Sequence, residues 1–147
     1  LGKILQTVIE HFEQEQQQGI VKFKLPSQWP KVQCDVLKMS QVWQNLIGNS
    51  IKYRGKLDQV EIKIGTRISG IWCECWIEDN GNGIPSSEGD RIFKPFIRLD
   101  DSRQGSGIGL ATVARILEAH KGIIRFDPRY QNGARFYMRW PHHSITK

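Results

Sequence analysis

Hydrophobic residues recur along this chain with two different periods. Apolar positions three and four residues apart predict amphipathic helices over residues 2–18, 37–53 and 107–120. Alternating or continuous apolar runs bounded by turn residues predict strands. These strands are expected at 20–25, 31–35, 60–68, 70–79, 122–127 and 134–140. Turns are expected at Ser69-Gly70 and around Asn132-Gly133, where small and polar residues separate two strand patterns.

The order of these elements predicts an α/β (α+β) two-layer sandwich, in which a mixed, mainly antiparallel sheet packs on three helices. The 147 residues, 17.0 kDa, fit a single domain spanning 1–147. No apolar run approaches the roughly 18 residues needed to span a bilayer, and the N-terminus has no signal-peptide pattern. Leu1 is not Met, so we expect the chain to be a piece of a longer protein.

The charge balance favours an anionic partner without identifying it. The chain has 21 Lys and Arg against 15 Asp and Glu, a net charge of +6. Nucleotides, nucleic acids and acidic protein surfaces all fit such a charge. Cys34, Cys73 and Cys75 lack the spacing of a zinc site, and we interpret them as buried free thiols of a reducing compartment. On a strand, Cys73 and Cys75 would share one face.

The second predicted helix carries a polar stripe opposite its apolar face. Asn45, Asn49 and Lys52 recur at helical spacing, while Val42 and Leu46 belong to the core side. Such a stripe can simply face solvent. Two amide oxygens four residues apart also suit a magnesium ion that holds phosphate, with a lysine nearby for the phosphate oxygens.

A carboxylate ends the most hydrophobic strand pattern. Asp79 is followed by Gly81 and Gly83, which would let a ligand approach the backbone. A plain Asp-Asn-Gly turn is the alternative. A calcium-binding EF-hand loop is excluded, because its sixth position would be Ile84 rather than Gly and its twelfth Asp90 rather than Glu.

The long segment between the strands and the third helix is rich in glycine. Gly105, Gly107 and Gly109 lead directly into the helix, and backbone N–H groups in such a loop attract phosphate. The spacing fits neither a dinucleotide-binding fingerprint nor a Walker A loop.

Two phenylalanines and an arginine precede this glycine-rich loop. Phe93 and Phe96 lie three residues apart and could anchor a mobile segment, and Arg98 could reach phosphate. A short amphipathic turn that packs its two rings is the alternative.

These four segments, in this order, resemble the N, G1, F and G2 boxes of sensor histidine kinases, within the wider GHKL ATPase superfamily. They are N-L-x-x-N-x-x-K-Y, D-N-G-x-G-I-P, I-F-x-P-F-x-R and G-x-G-I-G-L-A. The resemblance covers about residues 1–141. It implies the Bergerat-type ATP-binding fold, with ATP and Mg²⁺ as cofactors.

The resemblance also implies a role for each matching residue. Asn45, which would bind magnesium, and Lys52, which would contact phosphate, form the expected catalytic pair. The expected nucleotide contacts are Asn49, Tyr53, Asp79, Gly81, Gly83, Phe93, Phe96, Arg98, Gly105, Gly107, Gly109 and Leu110. Asp79 would recognise adenine, because a carboxylate accepts from the exocyclic amine, whereas guanine would oppose it with a carbonyl.

As a histidine kinase catalytic domain, the chain would donate the γ-phosphoryl group of ATP to a histidine on a separate dimerisation domain, with a response regulator downstream. None of His11, His120, His142 and His143 lies in the family's H-E-x-x-P-like context. We therefore expect ATP binding without autophosphorylation by this chain alone. The parent is expected to be a cytoplasmic homodimer, with a membrane anchor left open, and the fragment a monomer.

Two alternatives stay open at this point. Hydrolysing relatives carry Glu one turn before the first Asn, and here that residue is Gln41, whose amide cannot accept the proton. This disfavours a GHKL-type ATPase. The other alternative is a degenerate module that senses nucleotide or binds a partner. No nucleic-acid partner is expected, since net charge alone would support one. Ala134 stands where relatives often place Thr or Ser.

Overall fold

The computed structural model describes residues 1–85, 87, 89, 91–94 and 109–143. This part of the chain forms four helices and five strands. In chain order they are α1 Gly2–Glu10, α2 Glu13–Gln17, β1 Val21–Lys24, α3 Val36–Lys52, β2 Val60–Ser69, β3 Trp72–Asp79, α4 Gly109–Ala119, β4 Ile123–Phe126 and β5 Arg135–Pro141.

The strands form one mixed sheet in the order β1-β2-β3-β5-β4. Only the β1–β2 pair is parallel among these described strands, and α3 lies in the connection between its members. The β2–β3 hairpin turns at Gly70, whose φ of +60° suits glycine. The predicted mixed, mainly antiparallel sheet is therefore confirmed.

The helices cover one face of this sheet and enclose the core. Their buried residues, such as Trp43 and Leu117, form one cluster with alternate strand residues such as Ile62, Ile77 and Met138. Side chains of the intervening strand residues project from the other face, because successive residues alternate along a strand. The predicted two-layer α/β sandwich is confirmed.

Helix α3 positions much of the candidate site. The carboxylate of Asp35 accepts from the Lys38 N–H at 3.0 Å and caps the N-terminus. One side of the helix is buried in the core, including Val42 and Ile47, and the polar stripe containing Asn45 lies beside it. The predicted helix over 37–53 is thus confirmed.

The predicted single helix over 2–18 is wrong, because the chain divides it into α1 and α2. The backbone of Phe12 leaves the helical region, with φ −107° and ψ 18°, and its side chain packs against the core. Helix α2 buries none of its residues. The three predicted helices therefore become four, and Gly19, with φ +73°, ends the second one as expected.

The short strand predicted over 31–35 is also wrong. The Gln33 N–H donates to the His142 carbonyl beyond the end of β5, and Asp35 already caps α3. The segment therefore touches the end of the sheet without joining a ladder.

The cysteines are free thiols, as predicted. Cys73 and Cys75 are buried on one face of β3 with their Sγ atoms 3.9 Å apart, whereas Cys34 is only half-buried, so the prediction of burial was wrong for it. In the described part of the chain, none of the helices has the length and apolar content required to cross a bilayer.

Candidate functional site

A cavity of about 280 Å³ lies between the C-terminal half of α3, the end of β3 and the start of β5. Its wall combines apolar side chains with a few polar groups, as small-molecule pockets usually do. The lining residues are Asn49, Ser50, Tyr53, Asp79, Asn82, Gly83, Ile84, Pro85, Leu110, Ala134 and Phe136.

Asp79 provides the one carboxylate among the described residues that line this cavity. The residue is 7% exposed, and its Oδ1 accepts from the Gly81 N–H at 2.9 Å and from the Ala134 N–H at 3.2 Å. Burial raises the pKa of Asp79, while hydrogen bonds from Gly81, the Ser50 hydroxyl and Ala134 oppose that rise. The carboxylate is thus fixed at the cavity wall by two backbone donors, with the Ser50 hydroxyl close enough to lower its pKa, and it remains an acceptor for a ligand.

Two glycines keep the backbone close around Asp79. A Cβ at Gly133 would lie 1.9 Å from the Asp79 carbonyl oxygen, and one at Gly81 would lie 2.8 Å from the Tyr53 carbonyl oxygen. The predicted G1 loop therefore packs on the end of α3, and the Asn82 N–H donates to the same Tyr53 carbonyl at 3.1 Å. Any side chain at these two glycines would displace the backbone that holds the carboxylate.

The end of α3 supplies the polar side chains of the opposite wall. Asn49 and Tyr53 line the cavity, one turn apart. The Lys52 ammonium lies 5.3 Å from the centre of the Tyr53 ring and outside the cavity wall. The Lys52 ammonium beside the cavity and the Tyr53 ring on its wall suit a ligand that has an aromatic group at one end and an anionic group at the other.

Asn45 lies one turn earlier, beside the start of α4. Its Nδ2 donates to the Gly109 carbonyl at 3.4 Å, which leaves the amide Oδ1 available to a cation. Magnesium is often bound through few protein oxygens and several phosphate or water oxygens, so this donor fits a metal that arrives with phosphate. Among the described residues, no group of three or more His, Cys, Asp or Glu could hold a metal alone.

The F-box and G2 residues lie only partly within the described structure. Phe93 is half-buried and packs edge-on against Phe136, with ring centres 6.1 Å apart, and so supports the cavity wall from behind. Leu110 lines the cavity and Gly109 begins α4. The predicted residues Phe96, Arg98, Gly105 and Gly107 lie outside the described residues.

Six residues of the cavity wall were not among the predicted nucleotide contacts: Ser50, Asn82, Ile84, Pro85, Ala134 and Phe136. Ser50 is 7% exposed and interrupts the apolar face of α3, and a buried polar residue in an apolar stripe is an informative signal. Phe136 lies in β5, two residues after Ala134, which directly precedes the strand, so both residues face the same side. Gln41 is exposed and lines a separate groove between α3 and α4 with Thr112.

Comparison with known proteins identifies the family to which this chain belongs. The family model described as histidine kinase-, DNA gyrase B-, and HSP90-like ATPase matches residues 34–144. The methanogenesis regulatory histidine kinase FilI of Methanothrix harundinacea (strain 6Ac) is 35% identical over 90% of the chain. The adaptive-response sensory kinase SasA of Prochlorococcus marinus (strain MIT 9313) is 37% identical over 82% of it. The chain spans only 15% and 33% of these relatives' lengths.

Solved structures show the same fold. The nucleotide-free catalytic domain of histidine kinase ThkA aligns with a TM-score of 0.84 and 25% identity, covering 97% of this chain and 93% of that one. ThkA in complex with the response regulator protein TrrA aligns with a TM-score of 0.77, covering 97% of this chain and 40% of that one. The stated resemblance to the ATP-binding domains of sensor histidine kinases is confirmed by these comparisons.

Proposed function

Because the chain belongs to the histidine kinase-, DNA gyrase B-, and HSP90-like ATPase family, we propose that it binds Mg·ATP and donates the γ-phosphoryl group to a histidine of a separate dimerisation domain. The reaction would belong to cytoplasmic two-component signalling. One observation carries the proposal: a buried carboxylate, Asp79, lies on the wall of an apolar cavity beside the polar edge of α3. Such an arrangement suits a nucleotide with an apolar base and an anionic tail.

Base recognition follows from the chemistry of Asp79. Its carboxylate accepts the hydrogen bond of adenine's exocyclic amine, and Ile84, Leu110 and Phe136 provide apolar surface for the ring. Guanine would place a carbonyl against the carboxylate, and two facing acceptors would remain buried without a donor. The pocket should therefore select adenine over guanine.

The phosphates would extend from this cavity along α3. Asn45 would offer its amide oxygen to the magnesium ion, and Lys52 would approach the phosphate oxygens. Bound magnesium would neutralise charge on the triphosphate during transfer. Gly105, Gly107 and Gly109 are proposed to close over the phosphates, with Phe96 and Arg98 completing the lid.

Transfer itself requires little from this chain beyond positioning. A neutral imidazole nitrogen of the acceptor domain would form the N–P bond to the γ-phosphorus while the bond from that phosphorus to the bridging oxygen breaks, and ADP leaves. An uncharged imidazole needs no strong general base, which is compatible with Gln41 at the position where hydrolysing relatives carry Glu. The proposed partners are the acceptor domain and, downstream, a response regulator; ThkA has been solved in complex with one.

Calorimetric titration with ATP and GTP, each with and without Mg²⁺, tests the nucleotide site. The matched variants are Asp79→Asn, in the cavity, and Asp58→Asn, which makes the same change at an exposed position outside it. We expect the protein and Asp58→Asn to bind ATP but not GTP, and Asp79→Asn to lose ATP binding while remaining folded. A folded protein that binds neither ATP nor GTP would refute the proposal and favour a partner-binding module.

Phosphoryl transfer needs a second experiment, because binding alone does not establish it. Mixing the chain with its acceptor domain and γ-labelled ATP should label the acceptor histidine, whereas the chain alone should stay unlabelled. Label on any of His11, His120, His142 or His143 would contradict the expectation that this chain does not phosphorylate itself.

A further inference from the structure

The sheet face turned away from the helices carries closely packed arginine and aromatic side chains. The strand register places Arg67 beside Glu74, which in turn lies beside Arg139. Two residues along, Trp76 lies beside Tyr137. Residues that are direct neighbours across a ladder project from the same side of the sheet, so these side chains form one continuous surface.

Positive charge is concentrated on this surface, which we call the outer sheet face. Its basic residues are Lys22, Lys24, Lys63, Arg67, Arg125, Arg135 and Arg139. Its acidic residues are Glu61, Glu74, Glu78 and Asp127. The excess of three positive charges is half of the net charge of the whole chain.

Three of the four acids on this face have basic partners within the chain, and one of these pairs joins Asp127 to Arg135 at 3.8 Å. Glu61 pairs with Lys24 at 3.0 Å, and Glu74 accepts from Arg67 and, at 3.0 Å, from the Tyr137 hydroxyl. The Nε of Arg139 on the same face, by contrast, is buried and has no hydrogen-bond partner among the described residues. Basic groups therefore remain in excess after the internal pairs are formed.

The aromatic side chains are held in place by their neighbours. The Arg139 guanidinium lies 4.3 Å from the centre of the Trp72 ring. The Trp76 ring lies against Gly65, where an added Cβ would come within 2.1 Å of it. Side chains held in this way lose little further conformational freedom when a partner binds.

We propose that the outer sheet face is a docking surface for an acidic protein surface. Trp, Tyr and Arg are the residues that most often carry binding energy in protein interfaces, and the excess positive charge supplies complementarity to acidic side chains. The inference does not depend on the proposed nucleotide site, since Asp79 and Phe136 project from the helix-covered side of the same strands.

A nucleic acid fits this face less well. Strands of nucleic acid bind through bases stacked on free aromatic rings and through continuous rows of cations. Here Arg139 covers Trp72, and Glu74 and Glu78 interrupt the basic side chains. A phosphate backbone laid across the sheet would meet those carboxylates, whereas an acidic protein surface can place its few charges between them.

The test uses poly-L-glutamate as the probe, titrated into isotope-labelled protein at physiological salt and followed by amide and indole NMR shifts. We expect the shifts to map to β2, β3 and β5, including the Trp72 and Trp76 indoles. The double variant Arg67→Ser/Arg139→Ser should bind at least tenfold more weakly. The matched control, Lys38→Ser/Arg115→Ser, removes the same charge from exposed positions on the helix side and should bind as the unmodified protein does.

Unchanged dispersion of the amide resonances away from the substituted positions would show that both double variants are folded, whether or not the chain binds ATP. Three results would overturn the proposal: shifts confined to the helix side, equal loss of binding in the two double variants, or no binding of the probe by the unmodified protein. An oligothymidylate that occupies the outer sheet face more tightly than poly-L-glutamate would also overturn it and identify a nucleic-acid surface instead.

Discussion

Removing the Ser50 hydroxyl should weaken both the fold and the nucleotide site through Asp79. Ser50→Ala removes the neighbouring hydroxyl that helps to hold down the pKa of a buried carboxylate and changes little else, because alanine fits the same helical position. The Gly81 and Ala134 N–H groups would then be the remaining donors. The effect of the substitution isolates the contribution of this hydroxyl to the candidate site.

The expected size of this effect can be worked from the environment. A hydrogen bond to a charged group contributes about 1.5–3 kcal/mol, and alanine regains roughly 0.5 kcal/mol through its higher helix propensity. We therefore expect Ser50→Ala to lower the free energy of unfolding by roughly 1–2.5 kcal/mol at neutral pH. Without this donor, the pKa of Asp79 rises further above its ordinary value, because burial then meets less opposition.

The sign of the pH dependence follows from that rise. The lost hydrogen bond matters most when Asp79 is ionised, so the difference in unfolding free energy between protein and variant should shrink as pH falls through the Asp79 pKa. Under the proposed function, ATP affinity requires the same ionised acceptor. As pH falls, the affinity of Ser50→Ala for ATP should therefore decline at a higher pH than that of the unmodified protein.

Urea unfolding and ATP titration across the acid range provide the assay. Comparing the two proteins at each pH removes the titration of ATP itself from the difference. Ser40→Ala is the control, since its hydroxyl lies on the same helix but donates to the Val36 carbonyl at 2.8 Å, away from the cavity. The reasoning fails if Ser50→Ala and Ser40→Ala behave alike, or if the ATP affinity of Ser50→Ala declines at the same pH as that of the unmodified protein.

Three further substitutions test other parts of the site. Asn45→Ala should reduce ATP affinity in the presence of Mg²⁺ but not in its absence, as measured by calorimetry. Gly133→Ala should lower unfolding free energy by about 1–3 kcal/mol and abolish ATP binding, because the added methyl would lie 1.9 Å from the Asp79 carbonyl oxygen; unchanged thermal unfolding would contradict this. Phe93→Ala removes the edge-on partner of Phe136 and should weaken ATP binding by about 0.5–1.5 kcal/mol without eliminating it.

The elements with a strong hydrophobic period could be predicted from the sequence. Helix α3 and the β2–β3 hairpin have long apolar patterns with clear boundaries. Asp35 marks the start of the helix, and Gly70 marks the turn of the hairpin. The break at Phe12 has no such signal, because the helical pattern continues while tertiary packing turns that ring toward the core. Residues 31–35 alternate between polar and apolar residues like a strand, but Asp35 caps helix α3. The local pattern therefore predicts a strand, whereas the segment pairs with none of the described strands.

The candidate site was predictable where chemistry follows directly from residue type. Asp79 and its glycines stand out because a charged residue ends an apolar strand. Ser50 and Phe136 did not stand out, since each contributes through a residue of another element. Ser50 acts on the Asp79 carboxylate, and Phe136 packs against Phe93. Sequence spacing alone does not show contacts between separate elements.

The energetics of Asp79 support the proposal that this residue serves a ligand rather than the fold. Because its pKa is raised in the folded protein, ionisation opposes folding. That penalty is absent below the carboxyl pKa of the unfolded chain, grows as pH rises toward the folded pKa, and is fully present above it. Gly81, Ala134 and Ser50 reduce the penalty without removing it. A neutral asparagine could accept the same backbone hydrogen bonds and avoid the charge altogether. What asparagine could not provide is an acceptor-only group facing the cavity, which is the property that adenine's amine requires.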